Sequence, residues 1–188
     1  LKGYYFDLML NHSIPYGNTH NSFLKAKINL YDSPVKRFYL AGGLSAKVSF
    51  SREQSYLLQK GLGYDPDVLR GYEYYVIDGQ HFVVLRTEAR YAIVPWHIDR
   101  LRIFRSEKFN TFPWALYANV FGDLGYVKQY PESAPEWSRE TNRLVNRILA
   151  SIGTGIDFTT YYDVVVRLEF TVNSFGTPGF YIHFKAPI

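Results

Sequence analysis

Of the side chains that most often do chemistry, the chain carries five histidines, 17 acidic residues and no cysteine. The histidines (His12, His20, His81, His97 and His183) follow no metal-ligand spacing and no paired-carboxylate pattern. Gly61-x-Gly63 lacks the third glycine of a dinucleotide loop, and no Gly-Lys-Ser/Thr offers a phosphate cradle. No Gly-x-Ser-x-Gly elbow presents a nucleophile. Asp157, Asp163, Arg167 and Glu169 read as a charged network rather than as acid–base pairs. No enzyme, cofactor or metal centre is expected. One arginine poses a different question. Leu69-Arg70-Gly71-Tyr72 falls within a long polar stretch, Ser51 to Asp78, rich in Gly, Asp and Gln, and a strand with charges along one face follows it.

That strand, Gln80 to Ile93, alternates with period 2. Val83, Leu85, Thr87, Ala89, Tyr91 and Ile93 fall on one face, and Arg86, Glu88 and Arg90 on the other. Seven more segments alternate in the same way: Tyr5–His12, Asn21–Tyr31, Arg37–Phe50, Trp114–Val127, Leu149–Phe158, Tyr162–Asn173 and Gly179–Ala186. Turns are predicted near Pro15, at Asp32-Ser33-Pro34, at Thr159–Tyr161 and at Ser174–Pro178. The stretch from Pro95 to Thr111 reads as irregular and basic. Ser138 to Arg147 reads as polar loop with a turn or two of helix, and no other helix is expected. The class is all-β and antiparallel, in one domain spanning 1–188.

Alternation alone does not say which face is inside. A soluble barrel or sandwich puts the apolar face in its core. Three features favour the opposite. Most segments run nine or more residues, enough for a tilted strand to cross a bilayer. Aromatic residues make up 18% of the chain and gather towards the ends of the apolar stripes, as at Phe38, Phe50, Tyr91, Trp114, Tyr126, Phe158, Phe170 and Phe180. The polar face carries both signs of charge at mid-strand, at Arg86, Glu88, Asp123, Arg167 and Glu169. These features together predict a transmembrane β-barrel whose charged face lines the lumen. No apolar run is long enough for a spanning helix. A net charge of +4, scattered along alternating positions, gives no nucleic-acid footprint. The start at Leu1-Lys2-Gly3-Tyr4, without Met or signal peptide, reads as part of a longer chain.

Three marks together resemble a known family. They are the loop tetrapeptide Leu69-Arg70-Gly71-Tyr72, the acidic Glu88 on the next strand, and Phe121-Gly122-Asp123-Leu124-Gly125 on the strand after it. In register with eight strands, they make the chain resemble the C-terminal half of the barrel of the outer-membrane-protein assembly and translocation family, the BamA/TamA-like bacterial surface antigens. Leu and Tyr stand where that family more often has Val and Phe. The chain ends Lys185-Ala186-Pro187-Ile188 rather than on an aromatic residue. The resemblance implies strands nine to sixteen of a sixteen-stranded barrel in the bacterial outer membrane, with 51–78 as an extracellular loop folded into the lumen. It implies assembly or translocation of unfolded outer-membrane proteins, with the lipid bilayer and periplasmic accessory proteins as partners.

The resemblance also implies a lock. Arg70 meets Glu88 and Asp123 on the lumen faces of neighbouring strands, where its planar fork suits paired carboxylates. Gly71 permits the turn, Tyr72 packs beside Phe121, and Gly125 completes the strand motif. The competing expectation leaves Arg70 in solvent, with Glu88 paired to Arg86 or Arg90. Function is implied at a seam formed by the last strand, with Gly179, Tyr181 and His183 on its inner face. An eight-stranded barrel is too narrow to hold the loop, so a docked Arg70 requires a larger barrel and leaves this chain with two open edges. Other readings are a small autonomous barrel with a structural or adhesive role, the barrel anchor of an enzymatic passenger domain, and a soluble β-domain.

Overall fold

The computed structural model describes residues 2–13, 21–51, 58–100, 111–130, 142–160 and 164–184. Eight strands form one antiparallel sheet, and two short ones form a ribbon within the long loop. In chain order they are β1 (Gly3–Ser13), β2 (Asn21–Val35), β3 (Phe38–Ser49), β4 (Lys60–Leu62), β5 (Ile77–Asp78), β6 (His81–Arg100), β7 (Thr111–Lys128), β8 (Ile148–Thr159), β9 (Val165–Asn173) and β10 (Pro178–His183). The sheet order is β1-β2-β3-β6-β7-β8-β9-β10, so each strand lies beside its neighbour in sequence once the β4–β5 ribbon is set aside. The sheet is open: β1 and β10 are its two edges and do not pair with each other. There is no α-helix among the described residues.

All eight predicted strands are present, with altered ends. The β2–β3 hairpin turns at Lys36-Arg37 rather than at Asp32-Ser33-Pro34. A register shift between Asp32 and Val35 absorbs Pro34, and Arg37 takes the left-handed backbone at φ 69° that the tight turn demands. Pro95 does not end its strand. The longest pairing, β6 with β7, runs from His81↔Lys128 to Arg100↔Thr111, with register shifts on both sides of Val94. An irregular ladder accommodates a residue that has no amide to donate. The last strand begins at Pro178 and ends at His183; 185 and 186 lie outside the described residues, as do His20 and Asp163. Residues 143–146 form a turn rather than helix, and 138–141 lie outside the described residues.

The two faces of the sheet differ in chemistry and in cover. Leu44, Leu85, Leu124, Ile152, Ile156, Leu168, Phe170 and Ile182 are exposed. Lys47, Arg86, Glu88, Asn119, Asp123, Asp157, Arg167 and Glu169 are buried. The loop between β3 and β6 covers the polar face. At one end it brings Leu62, Leu69, Tyr72 and Ile77 against Phe82, Val84, Val127 and Leu149, the main apolar core among the described residues. Lys47 donates to the carbonyls of Leu58 (2.7 Å) and Lys60 (2.9 Å), and Lys25 pairs with Asp67, so the strands hold the loop along its length.

Leu149 and Ile152 lie on opposite faces of β8, one 0% and the other 68% exposed. Leu149→Ala should therefore cost about 2–5 kcal/mol through the cavity it opens. Ile152→Ala should leave the unfolding free energy within about 0.5 kcal/mol of wild type. Chemical unfolding of the two variants measures the contrast; equal losses would contradict the observed facing.

Candidate functional site

The tetrapeptide is itself a turn. The Tyr72 amide donates to the Leu69 carbonyl at 3.0 Å and the Tyr75 amide to the Tyr72 carbonyl at 2.9 Å. Gly71 has φ +82°, and a Cβ there would lie 3.0 Å from the Ser151 side chain. Both the backbone and the space call for glycine. Two side chains from the sheet fasten the turn. Arg86 donates to the Val68 carbonyl (2.6 and 3.1 Å) and the Pro66 carbonyl (3.2 Å), and Asn173 donates to the Gly71 carbonyl (3.2 Å). At its far side the Tyr72 hydroxyl lies 2.7 Å from Ser174 Oγ and donates to the Ala150 carbonyl at 3.2 Å.

Arg70 is 1% exposed and fully engaged. Its Nε and Nη2 bind the two oxygens of Asp123 side-on, at 2.8 and 2.6 Å. Nη1 donates to Glu88 Oε2 at 2.7 Å, and Nη2 reaches the Thr87 carbonyl at 3.3 Å. The guanidinium carbon stands 3.9 Å from the centre of the Phe121 ring, in cation–π contact. Phe121 can lie there because β8 offers Gly153 beneath it; a Cβ at Gly153 would meet the ring edge at 2.5 Å. Glycine, ring and guanidinium therefore make a three-layer stack.

Glu88 is the hub of a wider network. Arg167 approaches it end-on, with Nη2 2.9 Å from Oε1 and Nη1 3.0 Å from Oε2. Arg90 also donates to Oε1 at 2.7 Å. Arg167 in turn holds Asp157 side-on (2.6 and 2.7 Å) and reaches Glu169 at 3.2 Å. Strand register produces this directly, since Arg86 is paired with Asp123, and Asp157 with Arg167. Three arginines (70, 90 and 167) thus pair with four carboxylates (88, 123, 157 and 169), while Arg86 beside them gives its donors to the loop carbonyls. Such a cluster tolerates burial only while each member stays paired, because desolvating a lone charge is expensive.

The structure brings Arg70 together with Glu88, Asp123 and Phe121, and Glu88 pairs with Arg90 as well. It separates Tyr72 from Phe121: Tyr72 packs instead on Phe175 and Tyr75, because the Gly71 turn throws it towards the β9–β10 connection. Gly125 lies under Leu69 and Leu62, where a Cβ would sit 2.8 Å from the Leu69 methyl, so it seats the turn rather than the arginine. On β10, the Tyr181 ring folds back over Gly179 and packs on Tyr74 at 5.3 Å. His183 faces Glu73 and Glu169, each at 3.2 Å. The residues after the tetrapeptide thus touch the last strand, a contact the sequence analysis missed. Gly153, Asn173 and Glu73 also went unassigned there.

Arg70→Ala leaves Asp123 buried without its fork, which should cost on the order of 3–5 kcal/mol. Arg70→Lys should recover little, since an ammonium cannot bridge both carboxylates side-on. Limited proteolysis around 65–67 is the readout: both variants should be cut where wild type resists. Resistance unchanged in both would place the arginine's contribution elsewhere.

No family model matches this chain, and neither a curated protein nor a solved structure matches it.

Proposed function

We propose that the chain is the C-terminal eight strands of a sixteen-stranded transmembrane β-barrel in the bacterial outer membrane. In this reading it inserts or translocates other outer-membrane proteins. The observation that carries the reading is the sheet's polarity: a charged face buried under a loop that Arg70 pins, and an apolar face left open. Lipid is the natural neighbour of such an apolar face, because each Arg or Lys placed near the bilayer midplane would cost about 2–4 kcal/mol. The open edges at β1 and β10 fit a sheet that further strands close. The family resemblance of the Leu69–Tyr72, Glu88 and Phe121–Gly125 motifs supplies the assembly role.

The reading places the working part at β10. This strand is short and begins at Pro178-Gly179, two residues poorly suited to a central ladder. Its inner neighbour β9 is rich in β-branched residues and pairs with it from Pro178↔Val172 to His183↔Arg167. β10 is held on one side and offers unpaired amides and carbonyls on the other, where an incoming client strand pairs by β-augmentation. Chemistry is supplied by geometry, without cofactor, metal or nucleic acid in the assembly step.

Two experiments test the two halves of the proposal. For the membrane, spin-labelled cysteines at Val83, Leu85 and Ala89 should be reached by lipid-soluble quenchers, while labels at 86, 88 and 90 should not. Reversed accessibility would return the chain to a soluble β-domain. For the seam, a disulfide joining Ile182→Cys to the strand that closes the full-length barrel should stop client assembly and leave the barrel folded. Assembly at the normal rate in the cross-linked protein would favour a structural or anchoring role.

A further inference from the structure

We infer that Glu73, Glu169 and His183 form a binding site for one divalent transition-metal ion of the zinc class, which clasps the Arg70 loop to the last strand. The three ligands come from separate elements. Glu73 follows the tetrapeptide, Glu169 stands on the inner face of β9, and His183 ends β10. His183 Nε2 lies 3.2 Å from Glu73 Oε1 and 3.2 Å from Glu169 Oε2, and all three atoms fall within 4.8 Å of one another. Zinc bonds to nitrogen and carboxylate oxygen of ~2.0–2.2 Å place tetrahedral ligand atoms roughly 3.3 Å apart, so the spacing suits such an ion with a fourth position left for water. Imidazole with carboxylates is also a donor set that first-row divalent metals take readily.

A second observation points to the same ion. Glu73 Oε1, Glu169 Oε2 and His183 Nε2 are all buried, and none has a hydrogen-bond partner of adequate geometry. The Glu169 side chain is 0% exposed, and its other oxygen is already committed to Arg167 at 3.2 Å. Oε2 therefore points into the cluster, where the His183 ring at 3.2 Å is the group that faces it. A neutral Nε2 lone pair beside two carboxylates sets acceptor against acceptors, and a single Nε2–H cannot aim at both. A cation accepts all three lone pairs at once. The charge pattern agrees: Arg70, Arg90 and Arg167 pair with Glu88, Asp123, Asp157 and Glu169, and among the described residues no arginine or lysine pairs with Glu73. The Tyr181 ring stacks on His183 at 6.3 Å and 16°, holding the imidazole towards the carboxylates.

The site does not depend on the membrane reading and is testable apart from any assembly activity. Full-length protein, in whichever detergent or buffer keeps it monodisperse, is freed of metal by chelator and titrated with zinc chloride. A parallel titration uses cobalt(II) chloride, whose visible bands report nitrogen and oxygen ligation. One ion per chain is expected. Glu73→Gln and His183→Gln should each weaken binding about tenfold or more and abolish the cobalt bands, while His97→Ala should change neither. Glu73 lies on the loop outside the strand ladder, so its variant keeps the test interpretable if the β10 variant fails to fold. No saturable binding to wild type would overturn the site and leave His183 as an imidazolium between two carboxylates. Binding undiminished in both variants would overturn it as well.

Discussion

A charged group removed from water must find an opposite charge, and the carboxylate of Glu88 shows how far that requirement organises this protein. Glu88 lies in the middle of a long strand on the covered face of the sheet, where three guanidiniums converge on its two oxygens. One comes from its own strand, one from β9 across the face, and one from a loop that has travelled in from beyond the strand ends. Remove the loop and the charge balance of the face fails. Remove the carboxylates and the buried arginine of the loop has no charged partner. Fold and site are therefore a single arrangement, held by pairings that are individually replaceable only at the cost of stranding a neighbour.

Period-2 alternation made the eight strands and their polarity legible, because a side chain's face follows from its parity alone. The ends were harder. Pro34 and Pro95 look like stops in one dimension, yet both sit where a ladder shifts register, and the tolerance of an irregular ladder depends on the partner strand. The ribbon of β4 and β5 left no signal, since two or three paired residues carry no period. Phe82 and Val84 break the pattern in an instructive way: they occupy the polar face at the point where the loop covers it with Leu62 and Leu69.

The site was legible where its residues form short motifs and obscure where they do not. The pairing of Arg70 with Glu88 and Asp123 was implied by the family resemblance of the motifs, and strand parity agreed with it. Tyr72 was misplaced because a glycine at positive φ redirects the chain by an angle that no residue pattern encodes. Glu73, Glu169 and His183 meet only through a loop that folds back across two strands, so the histidine spacings that rule out a local metal motif say nothing about them. Gly153 looks unremarkable in sequence; its importance comes from the Phe121 ring and the Phe170 carbonyl that close over it.

That stack of Gly153, Phe121 and Arg70 bears on which substitutions this chain can accept, and in what order. No side chain fits beneath the ring while the ring is present, and the ring has no reason to lie flat unless a planar cation covers it. A lineage that first gains a methyl at 153 tilts the ring and loosens the arginine before any gain is available. One that first trims Phe121 leaves both a hole and a less sheltered cation. The three positions are thus joined by a valley in fitness, and they should persist together over long divergence or be exchanged as a set, even while the exposed aliphatic residues between them turn over freely.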